Sequence, residues 1–313
     1  MATNLNRLWV LGAGDPEMAA IEKLLQDAGE KFTHATVAGV RVHPGNAYKA
    51  EGLRPRCPNC DWEEMSPGEC PKCGGWIAYP EIIHVECSTG SQGSVVDHHR
   101  PGDPGYGKPA HLYWRASSVG QVFGLLYPHE AGVDLPLQLA MGPLLKIAAA
   151  DHCLEAAYRG KCPGVDPDEL MQWRVESRAA FQKRPAAEVL RDIADAMKAL
   201  QEAPMIDGGR DVSVQLYDRE NDPEGQWPQD GLHGQFVVRD LRGKQVAELP
   251  EAAARMGVTF ISTVKDKDGR EKVVLQAAPP EVVSRFMRGE IIPNLTDYYG
   301  DPARGFAGGY VQK

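Results

Sequence analysis

The order of apolar and polar segments predicts an α/β region in the first half of the chain. Its predicted strands are short apolar runs at residues 8–11, 32–42, 81–86 and 95–96. Its predicted helices repeat apolar residues every three to four positions, over about residues 17–28, from residue 117 onward, and over about residues 137–159. Strands and helices in this order are typical of a domain with a mostly parallel sheet, which binds ligands at the carboxyl ends of its strands.

A second region of mixed structure follows a charged helical segment. Residues 166–203 have helical periodicity that Pro185 interrupts, and we interpret them as a connector or a packing arm. The predicted strands beyond them lie near residues 212–217, 234–239, 259–265 and 272–276, and the predicted helices near residues 250–256 and 280–288. Lys267-Asp268-Gly269-Arg270 predicts a hairpin turn between the last two strands. We therefore predict a first domain at residues 1–165, a helical connector at 166–204 and a smaller α/β domain at 205–313.

Composition narrows the class of protein. The chain has 313 residues and a formal net charge of -9, which disfavours long nucleic acid as a partner because such binding depends on a basic surface. Its first fifteen residues carry none of the features of a signal peptide, and no apolar run approaches membrane-spanning length. We expect a cytoplasmic protein that does not enter a membrane, and a homodimer is left open.

Four of the seven cysteines form two closely spaced pairs. Cys57 and Cys60 make the first C-x2-C pair, and Cys70 and Cys73 make the second. Four thiolates in this arrangement suit a tetrahedral structural Zn²⁺ ion. We predict a zinc ribbon inserted at about residues 54–78; its acidic composition favours a structural clip or a lid over a nucleic-acid contact. The lone Cys87 is interpreted as a small buried residue, with a catalytic thiol as the alternative.

The most informative motif is Val95-Val96-Asp97-His98-His99, which a Gly/Pro-rich loop at residues 101–109 follows. Carboxylate and imidazole side chains at the end of a strand suit Mn²⁺, Zn²⁺ or Fe. The alternative is that Asp97 caps a turn and the two histidines are ordinary surface residues. Asp15 and Glu86 also follow predicted strands, so we expect these side chains to converge with the triplet at one edge of the sheet.

Several segments, in this order, resemble the DHH phosphoesterase superfamily. Residues 95–99 look like its third motif, residues 115–122 like the Ser-capped helix that follows, and residues 147–152 like its fourth motif. The glycine-rich end of the chain, residues 304–309, is similar to the substrate-binding DHHA1-type domain. The resemblance implies an enzyme that hydrolyses a phosphate bond of a small nucleotide or short oligonucleotide with Mn²⁺ or Mg²⁺.

The resemblance also implies roles for individual residues. The implied ligands of the active-site metal are Asp15, Glu17, Glu86, His98 and Asp151. Asp97 would orient them, and His99 would face the substrate phosphate, so that Asp97, His98 and His99 form the catalytic triplet. The implied substrate contacts are Arg100, Arg115, Arg304, Gly308 and Gly309. For each arginine, a solvated surface charge is the alternative.

The first motif departs from the family pattern. The family has a histidine followed by two aspartates, whereas residues 12–17 read Gly-Ala-Gly-Asp-Pro-Glu. A single metal, or a second metal completed by His34 or His84, therefore stays open. So does a different class of function, in which a non-catalytic protein binds a nucleotide or a partner on a decayed scaffold of this type.

Overall fold

The computed structural model describes residues 7–53, 57, 59–60, 68–77, 81–128, 142–210, 235–266, 269–302 and 305–312. The chain divides into two compact units, residues 1–153 with 162–165, and residues 154–161 with 166–313. The architecture is mixed α/β, as the sequence predicts, and a parallel sheet lies in the first unit. Among the described helices, none is long and apolar enough to cross a membrane.

The first unit is built on a four-stranded parallel sheet with the strand order β2-β1-β7-β8. The strands in chain order are β1 (Arg7–Leu11), β2 (Phe32–His34), β3 (Thr36–Val37), β4 (Val40–Arg41), β5 (Gly68–Glu69), β6 (Trp76–Ile77), β7 (Glu81–Val85) and β8 (Ser94–Val96). The helices are α1 (Pro16–Asp27), α2 (Tyr113–Ala116), α3 (Ser118–Leu126) and α4 (Gly142–Tyr158), and short 3-10 turns cover Ala47–Lys49 and Ala110–Leu112. The residues of α4 after Cys153 belong to the second unit. Leu11, Val85 and Val96 are paired in register, so β1, β7 and β8 end at the same level.

Local sequence signals explain where the first elements begin. Asp15 caps α1, since its carboxylate accepts a hydrogen bond from the Met18 N–H at 2.7 Å, and Pro16 supplies a preorganised first helical residue. Met18, Ile21 and Leu25 share one helical face and are all buried. Ser117 caps α3 by accepting from the Gly120 N–H. The predicted starts of both helices are confirmed.

Two predicted elements of the first unit need correction. The strand predicted over residues 32–42 is wrong as a single element, because Ala38 and Gly39 adopt positive φ angles of 52° and 71° and turn the chain into the β3–β4 hairpin. The long helix predicted over residues 137–159 is described from Gly142 onward, and it is interrupted at Cys153, which has φ -156° and ψ 55°. Residues 137–141 lie outside the described residues.

The second unit is a six-stranded mixed sheet covered by helices on both faces. Its strands are β9 (Met205–Arg210), β10 (Gln235–Leu241), β11 (Thr259–Lys265), β12 (Glu271–Gln276), β13 (Leu295–Asp301) and β14 (Phe306–Val311), in the order β13-β14-β12-β11-β10-β9. Its helices are α5 (Pro167–Gln182), α6 (Ala186–Glu202), α7 (Leu249–Met256) and α8 (Pro280–Met287). Consecutive side chains of β11 lie on opposite faces of the sheet: Phe260 packs with α5–α7 and Ile261 with α8.

The segment predicted as a connector or packing arm forms α5 and α6, which share a core with α7 and the sheet. Pro185 separates the two helices, as predicted. The predicted hairpin joins β11 to β12, and Gly269 has the positive φ of 76° that such a turn needs. The strand predicted near residues 212–217 lies outside the described residues. The domain boundaries at residues 165 and 204 stay predictions.

Helix α5 offers a test of local stability. The Asp166 carboxylate accepts hydrogen bonds from the N–H groups of Asp168 and Glu169, both at 2.9 Å. Asp166→Ala removes this cap, and we expect it to lower the free energy of unfolding by about 0.5–2 kcal/mol. Urea denaturation measures the change. The control is Lys198→Ala, which removes an exposed pair with Glu202 and should stay within about 0.5 kcal/mol; equal effects of the two variants would contradict the capping role.

Candidate functional site

The candidate site lies at the edge of the parallel sheet where β1, β7 and β8 end. Asp15 follows β1, Glu86 follows β7, and Asp97-His98-His99 follows β8 directly. Because the three strands end in register, their following residues share one edge, as the sequence predicts. Glu17 reaches the same edge from the first turn of α1, and Asp151 reaches it from α4.

His98 is the centre of a cluster of carboxylates. Its Nε2 atom lies 2.7 Å from Asp151 Oδ2, 3.5 Å from Glu86 Oε1 and 3.8 Å from Glu17 Oε2. One ligand atom each from Glu86, His98, His99 and Asp151 fit within 4.8 Å of one another. The structure therefore brings together four of the five predicted metal ligands, all but Asp15: three carboxylates lie within 4 Å of the Nε2 atom of His98.

Two inward-facing carboxylate oxygens of this cluster lack a hydrogen bond. Among the described residues, Glu17 Oε2 and Glu86 Oε1 are buried and accept none, and the buried His98 Nε2 has only its ion-pair contact with Asp151 at 2.7 Å and longer contacts with these two oxygens. Buried polar atoms without partners are rare in proteins, and they call for an ion or a proton between them. Two carboxylate oxygens and an imidazole nitrogen form a donor set that suits Mn²⁺ or Mg²⁺ with added water. The residues present fit a divalent cation.

The close approach of several carboxylates shifts the pKa values of groups in the cluster. The pKa of Asp15 is raised to about 7, first by burial and then by the carboxylates of Glu86 and Asp151. Burial lowers the pKa of His98, but the carboxylates of Asp151, Glu17 and Glu86 outweigh it and raise that pKa to about 12. In the metal-free protein a proton on His98 thus stands where a cation would neutralise the carboxylates.

The carboxylate of Asp97 fixes the positions of His98 and His99. It is fully buried, and its Oδ1 atom accepts hydrogen bonds from the backbone N–H groups of His98 and His99 at 2.7 and 3.0 Å. The same oxygen lies 2.9 Å from His99 Nδ1, and Oδ2 accepts from the Tyr48 hydroxyl at 2.9 Å. Burial raises the pKa of Asp97, but these hydrogen bonds outweigh it and lower the pKa overall. Asp97 is an ionised anchor for the loop.

The backbone of Glu86 is strained at the same edge. Its φ of 51° lies in the left-handed region, which costs a non-glycine residue about 1 to 3 kcal/mol. Gly12 permits the close packing there, because a Cβ atom on it would lie 2.5 Å from the Glu86 carbonyl oxygen. From this backbone conformation the Glu86 carboxylate reaches to 3.5 Å from His98 Nε2.

Two side chains of the cluster are partly exposed to solvent. The side chain of Asp151 is 27% exposed and that of His99 is 23% exposed, whereas those of His98 and Glu17 are buried. Arg100 is exposed, and its guanidinium lies 3.2 Å from the centre of the Tyr48 ring. A ligand can therefore approach past His99 and Asp151.

Among the described residues, no hydrogen bond or ion pair joins the other predicted substrate-binding residues to this cluster. Arg115 is exposed on α2, and Arg304 lies outside the described residues. Gly308 and Gly309 lie within β14, where a Cβ atom on Gly308 would lie 2.5 Å from the Tyr299 ring. The two glycines thus have a packing role, and substrate binding by all four residues stays a prediction.

The histidines considered for completing a second metal have other partners. His34 Nε2 lies 2.9 Å from Glu22 Oε1, and buried His84 Nε2 lies 2.8 Å from the Thr89 hydroxyl. Sequence reasoning missed His152, whose Nδ1 atom lies 3.2 Å from His98 Nδ1. Its position directly after a predicted ligand was the available signal. Burial lowers the pKa of His152.

Cys87 does not suit a nucleophile. It is buried, its thiol donates to the Val10 carbonyl oxygen at 3.2 Å, and burial raises its pKa to about 12. A thiol with this pKa is protonated near neutral pH, and the thiolate is the reactive form. The structural interpretation of Cys87 is therefore favoured over the catalytic one.

The four ribbon cysteines converge as their spacing predicts. Their sulfur atoms lie within 4.8 Å of one another, with 3.4 Å between those of Cys57 and Cys73 and 3.5 Å between those of Cys60 and Cys70. Zn–S bonds of about 2.3 Å in a tetrahedron place sulfurs about 3.8 Å apart. The β5–β6 hairpin flanks the second pair, and the Cys70 N–H donates to the Gly75 carbonyl oxygen. The geometry can hold a structural zinc ion.

Zinc content tests this second cluster. Cys57→Ser removes one of four thiolates, and we expect purified protein to lose about one zinc equivalent by elemental analysis, because a structural site needs all four ligands. Cys87→Ser is the matched control and should retain the zinc. Equal zinc content in both variants would contradict a zinc site built from the four ribbon cysteines.

Comparisons with known proteins add little to the geometry. No protein-family model matches the chain, and no curated protein matches it. Among solved structures, the chain is similar to a pGpG-specific phosphodiesterase, PggH from Vibrio cholerae, with 10% identity, a TM-score of 0.37, and coverage of 98% of this chain and 93% of that chain. A TM-score this low does not establish a shared fold, so the function proposed next rests on the geometry of the cluster.

Proposed function

We propose that the protein is a metal-dependent phosphoesterase that hydrolyses a phosphate bond of a small nucleotide or short oligonucleotide. The observation that carries the proposal is the cluster around His98, in which the buried oxygens Glu17 Oε2 and Glu86 Oε1 accept no hydrogen bond among the described residues. A purely structural cluster would pair these atoms, since an unsatisfied buried polar atom costs about 1–3 kcal/mol. A site that binds a cation leaves them unpaired until the cation arrives.

We assign different residues to cation binding and to substrate binding. Glu17, Glu86, His98 and Asp151 would hold Mn²⁺ or Mg²⁺, and Asp15 lies close enough to raise the local negative charge. Such an ion lowers the pKa of a bound water and stabilises charge on phosphoryl oxygens. The charge of the carboxylates would hold the cation at this edge.

His99 and Arg100 are the groups that we assign to the substrate. Asp97 fixes the orientation of His99, and the imidazole of His99 remains partly exposed beside the cluster. Arg100 is held over the Tyr48 ring, and a guanidinium pairs with phosphate oxygens in a bidentate manner. Arg115, Arg304, Gly308 and Gly309 are proposed as further substrate contacts.

The scaffold that we propose is of the DHH type, with a DHHA1-type second domain and a zinc ribbon insert. In such a scaffold Asp97-His98-His99 would be the third motif and Asp151 the fourth, and Glu86 would stand in place of the aspartate of the second motif; the carboxylates of Asp151 and Glu86 lie within 3.5 Å of His98 Nε2. Glu17, 3.8 Å from His98 Nε2, would stand in place of the second aspartate of the first motif.

Turnover of a panel of phosphoesters tests the proposal. The panel contains linear dinucleotides, cyclic dinucleotides, nucleoside bisphosphates and pyrophosphate, assayed with Mn²⁺ and after chelation. We expect Mn²⁺-dependent release of a phosphate or a mononucleotide from a nucleotide member, lost in His98→Ala and retained in His43→Ala, which alters an exposed histidine. Nucleotide binding without any turnover would instead identify the non-catalytic alternative.

A further inference from the structure

The ring of His152 lies between the ligand His98 and a loop carbonyl. His152 Nδ1 is 3.2 Å from His98 Nδ1, and His152 Nε2 is 2.9 Å from the carbonyl oxygen of Lys108. The opposite nitrogen of His98, Nε2, faces the carboxylates of the cluster. The two imidazoles and the carbonyl thus form a chain that ends at the proposed cation.

Donor and acceptor roles follow from this order. A carbonyl oxygen only accepts hydrogen bonds, so His152 Nε2 must carry a proton that it donates to Lys108. A neutral imidazole has one N–H, so His152 Nδ1 is then an acceptor. The 3.2 Å contact between the two Nδ1 atoms therefore needs the proton on His98 Nδ1. With its proton there, neutral His98 carries its lone pair on Nε2, which faces Asp151, Glu86 and Glu17.

The loop that supplies the carbonyl is packed directly on the metal-binding triplet. The Gly105 N–H donates to the Asp97 carbonyl oxygen at 3.0 Å, and the Lys108 N–H donates to the Gly105 carbonyl oxygen at 3.4 Å. A Cβ atom on Gly105 would lie 2.7 Å from His98 Cβ. The carbonyl of Lys108 is thus fixed relative to His98 by backbone contacts.

We propose that His152 is a positioning residue that fixes the tautomer and the ring orientation of His98, so that His98 presents Nε2 to the cation. The inference rests on the proposed metal site, and it does not depend on which phosphoester is the substrate. Hydrogen bonds to the far nitrogen of a metal-binding histidine typically change metal affinity by about 10- to 100-fold when they are removed.

Two variants of the same shape separate positioning from packing. His152→Asn keeps a carbonyl oxygen near the place of Nδ1, where it accepts from His98, and His152→Leu has a similar shape without the acceptor. We expect His152→Leu to weaken Mn²⁺ binding by about 10- to 100-fold, and His152→Asn to recover most of the loss. The probe is Mn²⁺, measured by titration calorimetry on folded, zinc-containing protein, because thiolates of the ribbon favour softer metals.

Nuclear magnetic resonance supplies a readout independent of affinity. In the Zn²⁺-loaded wild type, we expect a protonated His98 Nδ1 and a scalar coupling across the hydrogen bond to His152 Nδ1. A protonated Nε2 on His98, equal losses in both variants, or no loss in either would overturn the inference. Wild-type Mn²⁺ binding without phosphoester turnover would contradict only the proposed function, whereas absence of any Mn²⁺ binding would overturn both.

Discussion

Glu17→Gln should raise the melting temperature of the metal-free protein and abolish its Mn²⁺-dependent turnover. Glu17 is 2% exposed, and within the described part of the chain only one of its oxygens accepts a hydrogen bond, from the Val119 N–H at 2.9 Å. The other oxygen faces His98 and Asp151 without a hydrogen bond. Gln fills the same volume without the charge. It therefore removes the cost of burying a carboxylate in the metal-free protein, and it also removes a ligand of the proposed cation.

The direction of the stability change expected for Glu17→Gln follows from the pKa of Glu17. Burial, and then the charge of Asp151, raise the pKa of Glu17 well above its ordinary value. A carboxyl group whose pKa rises on folding destabilises the fold as the pH increases above its unfolded pKa, about 4.3. The gain from Gln should therefore be about 1–3 kcal/mol near neutral pH and should disappear as the pH falls towards 4.

Helix α1 also supplies the matched control. Glu22 pairs with His34 at 2.9 Å and with Arg41 at 2.8 Å, and these partners outweigh its burial and lower its pKa. Glu22→Gln should therefore lower the melting temperature slightly and leave turnover unchanged. For Glu17→Gln, we expect turnover to fall more than about 100-fold, since a metal centre contributes several kcal/mol and each 1.36 kcal/mol is tenfold.

Calorimetry from pH 4 to 8, with and without Mn²⁺, measures both effects. In Mn²⁺ the wild type should gain stability by mass action and Glu17→Gln should gain much less. A lower melting temperature for metal-free Glu17→Gln would show that Glu17 is a structural acid. Turnover at the wild-type rate would remove it from the set of ligands.

Short-range signals predicted the parts of the site that short-range contacts build. Asp15 and Pro16 fix the start of α1 within a few residues, and the register of the parallel strands places Glu86 beside Asp97. These features depend on propensities and on one general rule of parallel sheets. They could therefore be predicted without knowledge of the tertiary packing.

The remaining contacts depend on residues that are distant in sequence. His152 contacts Lys108 across 44 positions and His98 across 54, and Tyr48 contacts Asp97 across 49. No local pattern encodes such distances. Asp151 was found only because the segment around it resembles a family motif. The predicted strand over residues 32–42 failed for a related reason, since Ala38 adopts a left-handed conformation that its residue type does not signal.

Gly105→Ala should damage the site without changing any side chain that touches the proposed cation. The added methyl group would lie 1.9 Å from the Ala116 carbonyl oxygen and 2.7 Å from His98 Cβ. Neither neighbour can easily move: Ala116 precedes the Ser117 cap of α3, and the Asp97 carboxylate holds the His98 backbone. The loop must therefore shift, together with the carbonyl that orients His152.

A shift of about 1 Å near reacting groups can cost about 100-fold in rate, and overpacking typically costs about 1–3 kcal/mol of stability. We expect Gly105→Ala to show both losses, with Mn²⁺ affinity reduced at least about tenfold in the fraction that remains folded by circular dichroism. Gly142→Ala is the control, because a Cβ atom there meets no atom of the described residues within 4 Å although α4 also carries Asp151. If Gly105→Ala binds Mn²⁺ and turns over substrate like Gly142→Ala, the packing of this loop on His98 does not support the site.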